Sequence, residues 1–224
     1  MHTMPESVIY PNLYIEGIPA RVDFLTEAEA CAVTRQVLGL VVNSYSSQFE
    51  GAAGRLPNGT FASCYQTAEA YERFQNRVIP RVYARDGGYL GVRHPQNQRQ
   101  FLGICKMLPG KYLDERFDGM TCLAEVLTDP LYQRQKIGSA MLLAYLSHDV
   151  PTRGVVLSAF NDSPVNEWYR SLGLEDGEPS ETLKLGHGLS LPQHYMATPP
   201  TMRSRDVTNR LADVPALQEW HAIY

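Results

Sequence analysis

The sequence lacks the cysteine patterns and the long apolar runs that mark several classes of protein. Its four cysteines, Cys31, Cys64, Cys105 and Cys122, lie far apart and form no CxxC pair. This spacing predicts neither a zinc cluster nor a disulfide framework, and it favours a reducing, cytoplasmic environment. No metal site is therefore expected. No apolar stretch is long enough to span a bilayer, so we expect no membrane association.

An excess of positive charge is also missing. The 224 residues carry 20 Lys and Arg against 24 Asp and Glu, which gives a formal net charge of -4 at pH 7. Because no global field draws nucleic acid to such a chain, any anion site must be local. The stretch MHTMPESVIYPNLY lacks a basic region followed by an apolar one, so no signal peptide is expected. The patterns GxxxxGK(S/T) and GxGxxG are absent, which excludes a P-loop and the Rossmann fingerprint.

Turn residues and apolar periodicity divide the chain into one α/β domain with two flanking segments. Residues 1–18 are predicted to be an irregular N-terminal segment, and residues 19–198 the domain. Residues 199–224 are predicted to form a C-terminal extension with some helix. Within the domain, the predicted order is a strand, two helices, three strands, a helix, a strand, a helix and two strands.

Local signals set several of the predicted boundaries. Thr26 is expected to cap the first helix, since Glu29 follows at the capping-box spacing. A long loop is predicted for residues 44–63, which are rich in Ser, Gly and Pro. In the last helix, Ser163 is expected to be the N-cap and Gly173 to end the helix.

A short basic stretch, YQRQKIGSAMLL at residues 132–143, turns directly into an apolar helix. A helix N-terminus carries unpaired N–H groups and a partial positive charge. Gly138 lets a ligand approach the backbone closely, and Arg134 and Lys136 add full charges. Such a loop suits a phosphate or pyrophosphate. The alternative is a solvated basic loop before an ordinary core helix.

Two segments of the sequence resemble the GNAT N-acetyltransferases. Residues 125–140, EVLTDPLYQRQKIGSA, resemble that family's strand–loop–helix core. In the family, a loop of the pattern Gln/Arg-x-x-Gly-x-Gly/Ala holds the pyrophosphate of acetyl-CoA; Gln133, Lys136 and Gly138 stand at its positions, with lysine where glycine is usual. Residues 161–174, NDSPVNEWYRSLGL, are similar to the family's Asn…Phe-Tyr-x-x-x-Gly-Phe segment. The order of predicted elements also resembles the family's order.

The resemblance implies a GNAT fold, with a mixed central β-sheet of about six to seven strands flanked by about four helices. It also implies that acetyl-CoA is bound as a co-substrate. Backbone groups of the strand before the loop are expected to contact its pantetheine arm. The residues implied to bind the coenzyme are Val126, Leu127, Thr128, Gln133, Arg134, Gln135, Lys136, Ile137, Gly138, Ser139, Asn161 and Tyr169.

Two residues are candidates for proton transfer during acyl transfer to an amine. Tyr169 stands where the family's acid tyrosine lies, and the alternative is that it only packs beside Trp168 on an apolar helix face. Glu125 is a lone carboxylate in the apolar strand TCLAEVLT, where burial is costly unless the group is used or paired. It is either the base or a structural residue, and His187 and His194 are the reserve candidates for the base.

The sequence therefore predicts transfer of an acetyl group from acetyl-CoA to a primary amine, by direct transfer in a ternary complex. A small-molecule acceptor is the first hypothesis, and a protein lysine or N-terminus is the second. A non-catalytic acyl-CoA-binding module is the third. Glu125, Tyr169 and the loop favour an enzyme, whereas Lys136 favours a silent module. Whether the chain forms a homodimer is left open.

Overall fold

The structure of the protein is a computed structural model, and it describes most of the chain. The predicted loop at 44–63, Cys64 and His187 lie outside the described part. The described residues are 4–40, 68–148, 152–161, 163–180, 183–186 and 189–224.

The central sheet begins earlier in the chain than the sequence predicted. Strand β1 spans Ser7–Ile15 and pairs antiparallel with strand β2, Ile18–Leu25. The prediction of an irregular N-terminal segment was therefore wrong. The strand was missed in the sequence because Pro11 breaks the alternation of apolar and polar residues. The register of the pair shifts between Tyr10 and Tyr14, and proline is tolerated in a strand at such an irregularity.

Three helical segments cover one face of the sheet. Helix α1, Glu27–Ala32, begins with the predicted capping box: the Thr26 side chain accepts from the Glu29 N–H, and the Glu29 carboxylate accepts from the Thr26 N–H at 2.8 Å. Residues 34–40 are again helical. Helix α2 spans Ala68–Tyr83. The buried residues on this face are Leu25, Ala30, Val33, Val37, Leu40, Ile79, Val82, Tyr89, Phe101, Ile104 and Leu127.

The middle of the sheet carries the motif that the sequence singled out. Its elements are β3 (Gly88–His94), β4 (Asn97–Pro109), β5 (Thr121–Thr128), α3 (Ile137–His148) and β6 (Val155–Phe160). Helix α3 packs on the opposite face from α1. A Cβ at Gly103 of β4 would come within 2.7 Å of Ile137 and 2.9 Å of Met141. Glycine there lets α3 lie against the strand.

The end of the predicted domain contains more strands than expected. Helix α4 is Asn166–Ser171, followed by β7 (Glu175–Pro179), β8 (Leu183–Gly186), β9 (Leu189–Leu191) and β10 (Gln193–Ala197). The helix begins later than predicted, because Ser163 only accepts a turn bond from the Asn166 N–H, at 3.0 Å. Gly173 ends it with a φ of 93°, as predicted. Strand β7 was missed, since all its residues are exposed and polar or turn-forming.

The C-terminal segment packs on the domain. Helix α5, Ser204–Ala212, contacts α3, and Val207 and Leu211 are buried there. Because α5 covers its outer side, α3 buries ten of its twelve residues. Strand β11, His221–Ile223, then pairs with β1. Within the described ranges, no helix has both the length and the apolar character needed to cross a membrane.

The result is a mixed sheet of nine strands, with a separate two-stranded sheet of β8 and β9. The strand order of the large sheet is β11-β1-β2-β3-β4-β5-β6-β10-β7. This confirms the predicted fold class, with more strands than the six to seven expected. Among the described strands of the large sheet, only β5 and β6 pair in parallel.

Candidate active site

Strands β5 and β6 separate near the middle of the sheet and leave a cleft. Their parallel pairing covers Thr121 with Val155 and Cys122 with Val156. Beyond that point, a cavity of about 90 Å³ lies between the two strands. Its lining residues are Leu123, Ala124, Glu125, Val126, Leu127, Leu157, Ser158, Ala159, Phe160, Ser163, Val165, Tyr169 and Gln193.

A β-bulge in β5 lies where the strands begin to separate. On the β4 side of the strand, Lys106 pairs with Glu125 and the next β4 residue, Met107, pairs with Leu123. Ala124 is thus the extra residue of the bulge, and it is exposed. Because a bulge bends its strand and increases the local twist, it accounts for the divergence of β5 from β6.

The pairing of β5 with β4 fixes which backbone groups of β5 face the cleft. The Asp129 N–H donates to the Leu102 carbonyl at 2.8 Å, in register with the ladder. Hydrogen-bonded pairs alternate along an antiparallel ladder, so Leu127 exchanges its bonds with Ile104. The N–H and C=O groups of Val126 and Thr128 then point toward the cleft. Of the three predicted pantetheine-binding residues, these two are the better placed.

The loop between β5 and α3 forms an N–H-lined concavity. The Ala140 N–H donates to the Lys136 carbonyl at 2.9 Å, which is the first bond of α3. The N–H groups of Ile137, Gly138 and Ser139 precede that bond, so the helix cannot satisfy them. Both Arg134 and Lys136 have a φ of 64°. Left-handed residues in such a turn direct successive N–H groups into an anion-binding concavity.

The side chains of the loop differ in their exposure. Gln133, Arg134, Gln135 and Lys136 are exposed, and the two charges therefore border the concavity from solvent. Ile137 and Ser139 have buried side chains, so they offer only backbone groups to a ligand. A 3₁₀ turn leads into the loop from β5, and in it the Asp129 side chain accepts from the Leu131 N–H at 3.0 Å.

Gly138 lies where three elements meet. A Cβ at Gly138 would stand 3.6 Å from Trp168 of α4, 3.7 Å from Val126 and 3.8 Å from the Thr128 hydroxyl. These are ordinary contacts, so a methyl group fits there. A longer side chain would extend across the space between the helix N-terminus and the end of β5, which is the mouth of the cleft.

A polar cluster that the sequence did not predict connects the loop before α3 with the turn between β1 and β2. The Tyr132 hydroxyl donates to a Glu16 carboxylate oxygen at 3.2 Å, and the His94 Nε2 lies 3.1 Å from the same oxygen. Glu16 belongs to the β1–β2 turn and has a φ of 51°. The only sequence signal was the Glu-Gly pair of this turn, which does not indicate a partner 116 residues away.

Tyr169 lines the cleft from helix α4. Its side chain is buried, and its ring centre lies 4.8 Å from that of Trp168. Loss of solvent raises the pKa of the Tyr169 phenol above its ordinary value, with a smaller contribution from Cys105. The hydroxyl therefore keeps its proton near neutral pH and can act as a donor.

Glu125 forms an ion pair across the sheet. Its carboxylate lies 3.4 Å from the Lys106 ammonium, and both side chains are less than one-fifth exposed. Glu125 lines the cleft, and it also lines a smaller cavity beneath α1 and α2. The structural role and the role as a base are both compatible with this geometry.

Asn161 and His194 lie outside the cleft. The Asn161 side-chain oxygen is 2.8 Å from His194 Nδ1, and His194 Nε2 is 3.0 Å from an Asp176 carboxylate oxygen. All three border an open surface cavity that lies next to α4 and β7. Asn161 is therefore hydrogen-bonded to one of the reserve histidines, and it is not among the residues that line the cleft between β5 and β6.

Comparison with known proteins places this geometry in a fold class. No family model matches the sequence, and no curated protein matches it. Solved structures do match, and the chain has the GNAT acetyltransferase fold that its motifs predicted.

Three of these structures illustrate the match. An acetyltransferase from Thermus thermophilus has a TM-score of 0.50 and 15% identity, over 79% of this chain and 96% of that chain. Ribosomal-protein-alanine N-acetyltransferase from Brucella melitensis has the same score and identity, over 79% and 98%. A third structure, described as histone acetyltransferase HPA2 and related acetyltransferase from Corynebacterium glutamicum, has a TM-score of 0.52 and 16% identity. The match covers 83% of this chain and 98% of that chain. At such identities the likeness establishes the fold alone.

Proposed function

We propose that this protein is an acetyl-CoA-dependent N-acetyltransferase that acts on a primary amine of a small molecule. The observation that carries the proposal is the cleft between β5 and β6, which opens beside the N–H concavity of the loop before α3. A thioester with a long arm and a diphosphate needs both features side by side.

The loop would hold the diphosphate of the coenzyme. Its N–H groups at Ile137, Gly138 and Ser139 supply hydrogen bonds and the positive end of the helix dipole. Arg134 and Lys136 supply full charges at the rim. The pantetheine arm would then run along β5, where Val126 and Thr128 turn their backbone amides to the cleft. This arm has amide groups of its own, so it can pair with the strand as another strand would.

The reaction would be direct transfer with both substrates bound. The neutral amine nitrogen attacks the thioester carbonyl carbon, the carbon–sulfur bond breaks, and an amide and a thiolate result. The Tyr169 hydroxyl donates its proton to the thiolate sulfur. Glu125 takes the proton that the amine nitrogen loses, either directly or through a water. Holding the two reactants together in the cleft supplies much of the rate enhancement.

A protein amine is the second candidate acceptor. The Brucella melitensis structure is described as a ribosomal-protein-alanine N-acetyltransferase, and the Corynebacterium glutamicum structure as a histone acetyltransferase. Both names refer to acceptors that are proteins, and this favours a protein amine as the alternative acceptor.

Release of free thiol from acetyl-CoA across a panel of small amines and peptides tests the proposal. We expect turnover with some small primary amines and none in the variant Gly138→Glu. Turnover only with peptides would support the protein-amine candidate. Tight binding of acetyl-CoA without turnover on any acceptor would favour the non-catalytic module, and absence of binding would refute the proposal altogether.

A further inference from the structure

A second and smaller cavity lies on the other face of β5, beneath α1 and α2. Its volume is about 20 Å³. Four polar residues border it: Thr34, Gln75, Tyr89 and Glu125. The rest of its wall is apolar and consists of Ala30, Val37, Ile79 and Ile104.

Two of these lining residues each have a buried side-chain atom with no hydrogen-bond partner among the described residues. These atoms are the Gln75 side-chain oxygen and the Tyr89 hydroxyl. Gln75 is 7% exposed and Tyr89 is 6% exposed, so bulk water does not reach them freely. Buried polar atoms without partners are rare in folded proteins because losing water without a replacement bond is costly.

The size of the cavity decides what can satisfy these atoms. A buried water needs about 10–15 Å³ of such space and typically makes about three hydrogen bonds. The cavity is large enough for one water and too small for the body of an acceptor molecule. A water can donate to the Gln75 oxygen and to the Glu125 carboxylate, and it can accept from the Tyr89 hydroxyl, which makes three bonds.

We propose that this cavity holds one ordered water that joins Gln75 and Tyr89 to the Glu125 carboxylate, which makes both side chains positioning residues for Glu125. The inference rests on the proposed function, in which Glu125 takes the proton of the attacking amine. Lys106 holds the carboxylate from β4, and the water holds it from the side of α2 and β3. Together they fix the side chain of a residue that lines both cavities.

The electrostatics of Tyr89 agree with this arrangement. Burial raises the pKa of the Tyr89 phenol, and the negative charge of Glu125 raises it further. The hydroxyl therefore keeps its proton, which it can donate toward the water. Among the residues that the structure describes, the groups with charge or titratable protons around the carboxylate are Lys106 and Cys105 on β4 and Tyr89 on β3.

The variant Tyr89→Phe tests the water by the sign of a stability change, which does not depend on activity. If the hydroxyl binds a water, its removal costs a buried hydrogen bond and leaves the water with one partner fewer. The melting temperature should then fall by about 2–4 °C. If the cavity is dry, removing an unpaired buried hydroxyl leaves the melting temperature unchanged or raises it, and the proposal is overturned.

Tyr83→Phe is the matched control. The Tyr83 ring stacks near Tyr89, with centroids 6.1 Å apart, but its hydroxyl donates to the Leu25 carbonyl and does not border the cavity. This control should lose stability and keep its rate of acetyl transfer. A high-resolution crystal structure gives the direct check: we expect one density peak within hydrogen-bond reach of Gln75, Tyr89 and Glu125.

The positioning role is tested by kinetics in the same variants. We expect Tyr89→Phe and the isosteric Gln75→Met to lower kcat about tenfold, a fraction of the effect of a general base, with unchanged acetyl-CoA affinity. In a Glu125→Gln background, neither change should lower kcat further. Wild-type kcat in both single variants would overturn the positioning role. Absence of turnover in the wild-type protein would instead refute the proposed function. The melting temperature and the density peak would still show whether the cavity holds an ordered water.

Discussion

The left-handed backbone at Lys136 leads to a prediction about stability that can be measured without any substrate. The loop residue Lys136 has a φ of 64°, and the neighbouring Gln135 is not among the residues with positive φ. A side chain at a left-handed position costs roughly 1–2 kcal/mol, whereas glycine has no such penalty. Glycine in turn costs about 0.5–1 kcal/mol through the freedom of the unfolded chain.

Because of these two costs, the difference in stability between a glycine and an alanine variant should have opposite signs at positions 136 and 135. At position 136, we expect Lys136→Gly to be more stable than Lys136→Ala by about 0.5–1 kcal/mol, since both variants remove the same charge. At position 135, Gln135→Gly should be less stable than Gln135→Ala by about the same amount. For a chain of this length, each difference corresponds to about 1–4 °C in melting temperature.

Thermal unfolding of the four variants followed by circular dichroism measures both differences. The same proteins can be titrated with coenzyme A, and we expect the glycine variant at 136 to bind it at least as well as the alanine variant, because the concavity is formed by backbone. If glycine is the less stable residue at both positions, Lys136 does not have a left-handed backbone, and the predicted N–H concavity of the loop is refuted.

Three further predictions concern the cleft. Gly138→Glu should abolish coenzyme binding in calorimetry with an unchanged melting temperature. The control Gly138→Ala should retain binding, because its Cβ meets only ordinary contacts. Undiminished affinity in the glutamate variant would exclude this loop as the coenzyme site. Tyr169→Phe should lower kcat about 10²-fold with unchanged coenzyme affinity, and normal turnover would leave Tyr169 a packing residue. Since burial raises the pKa of Tyr169, the acid form is lost only above its ordinary range, so wild-type kcat should show no decline below about pH 10. Glu125→Gln should lower kcat/KM most near neutral pH and recover partly at high pH, where more amine is neutral; a wild-type rate and pH profile would make Glu125 structural.

The sequence by itself determined the elements whose signals are local. The capping box at Thr26, the glycine end of α4 and the strand TCLAEVLT all depend on residues within a few positions of each other. The motif that carries the proposed coenzyme site is also local, because strand, loop and helix follow one another without interruption. The fold class could be predicted for the same reason, since the order of such elements limits the topologies.

Tertiary structure alone decided the features that join distant parts of the chain. Strand β1 pairs with β11 across more than 200 residues of sequence, Ser7 with Ile223, and the exposed edge strand β7 has no alternating pattern. The ion pair of Glu125 with Lys106 and the cavity shared with Gln75 and Tyr89 depend on strand register and on the packing of α2 against the sheet. Register and packing are set by contacts between remote segments, and a single sequence carries no local signal for them.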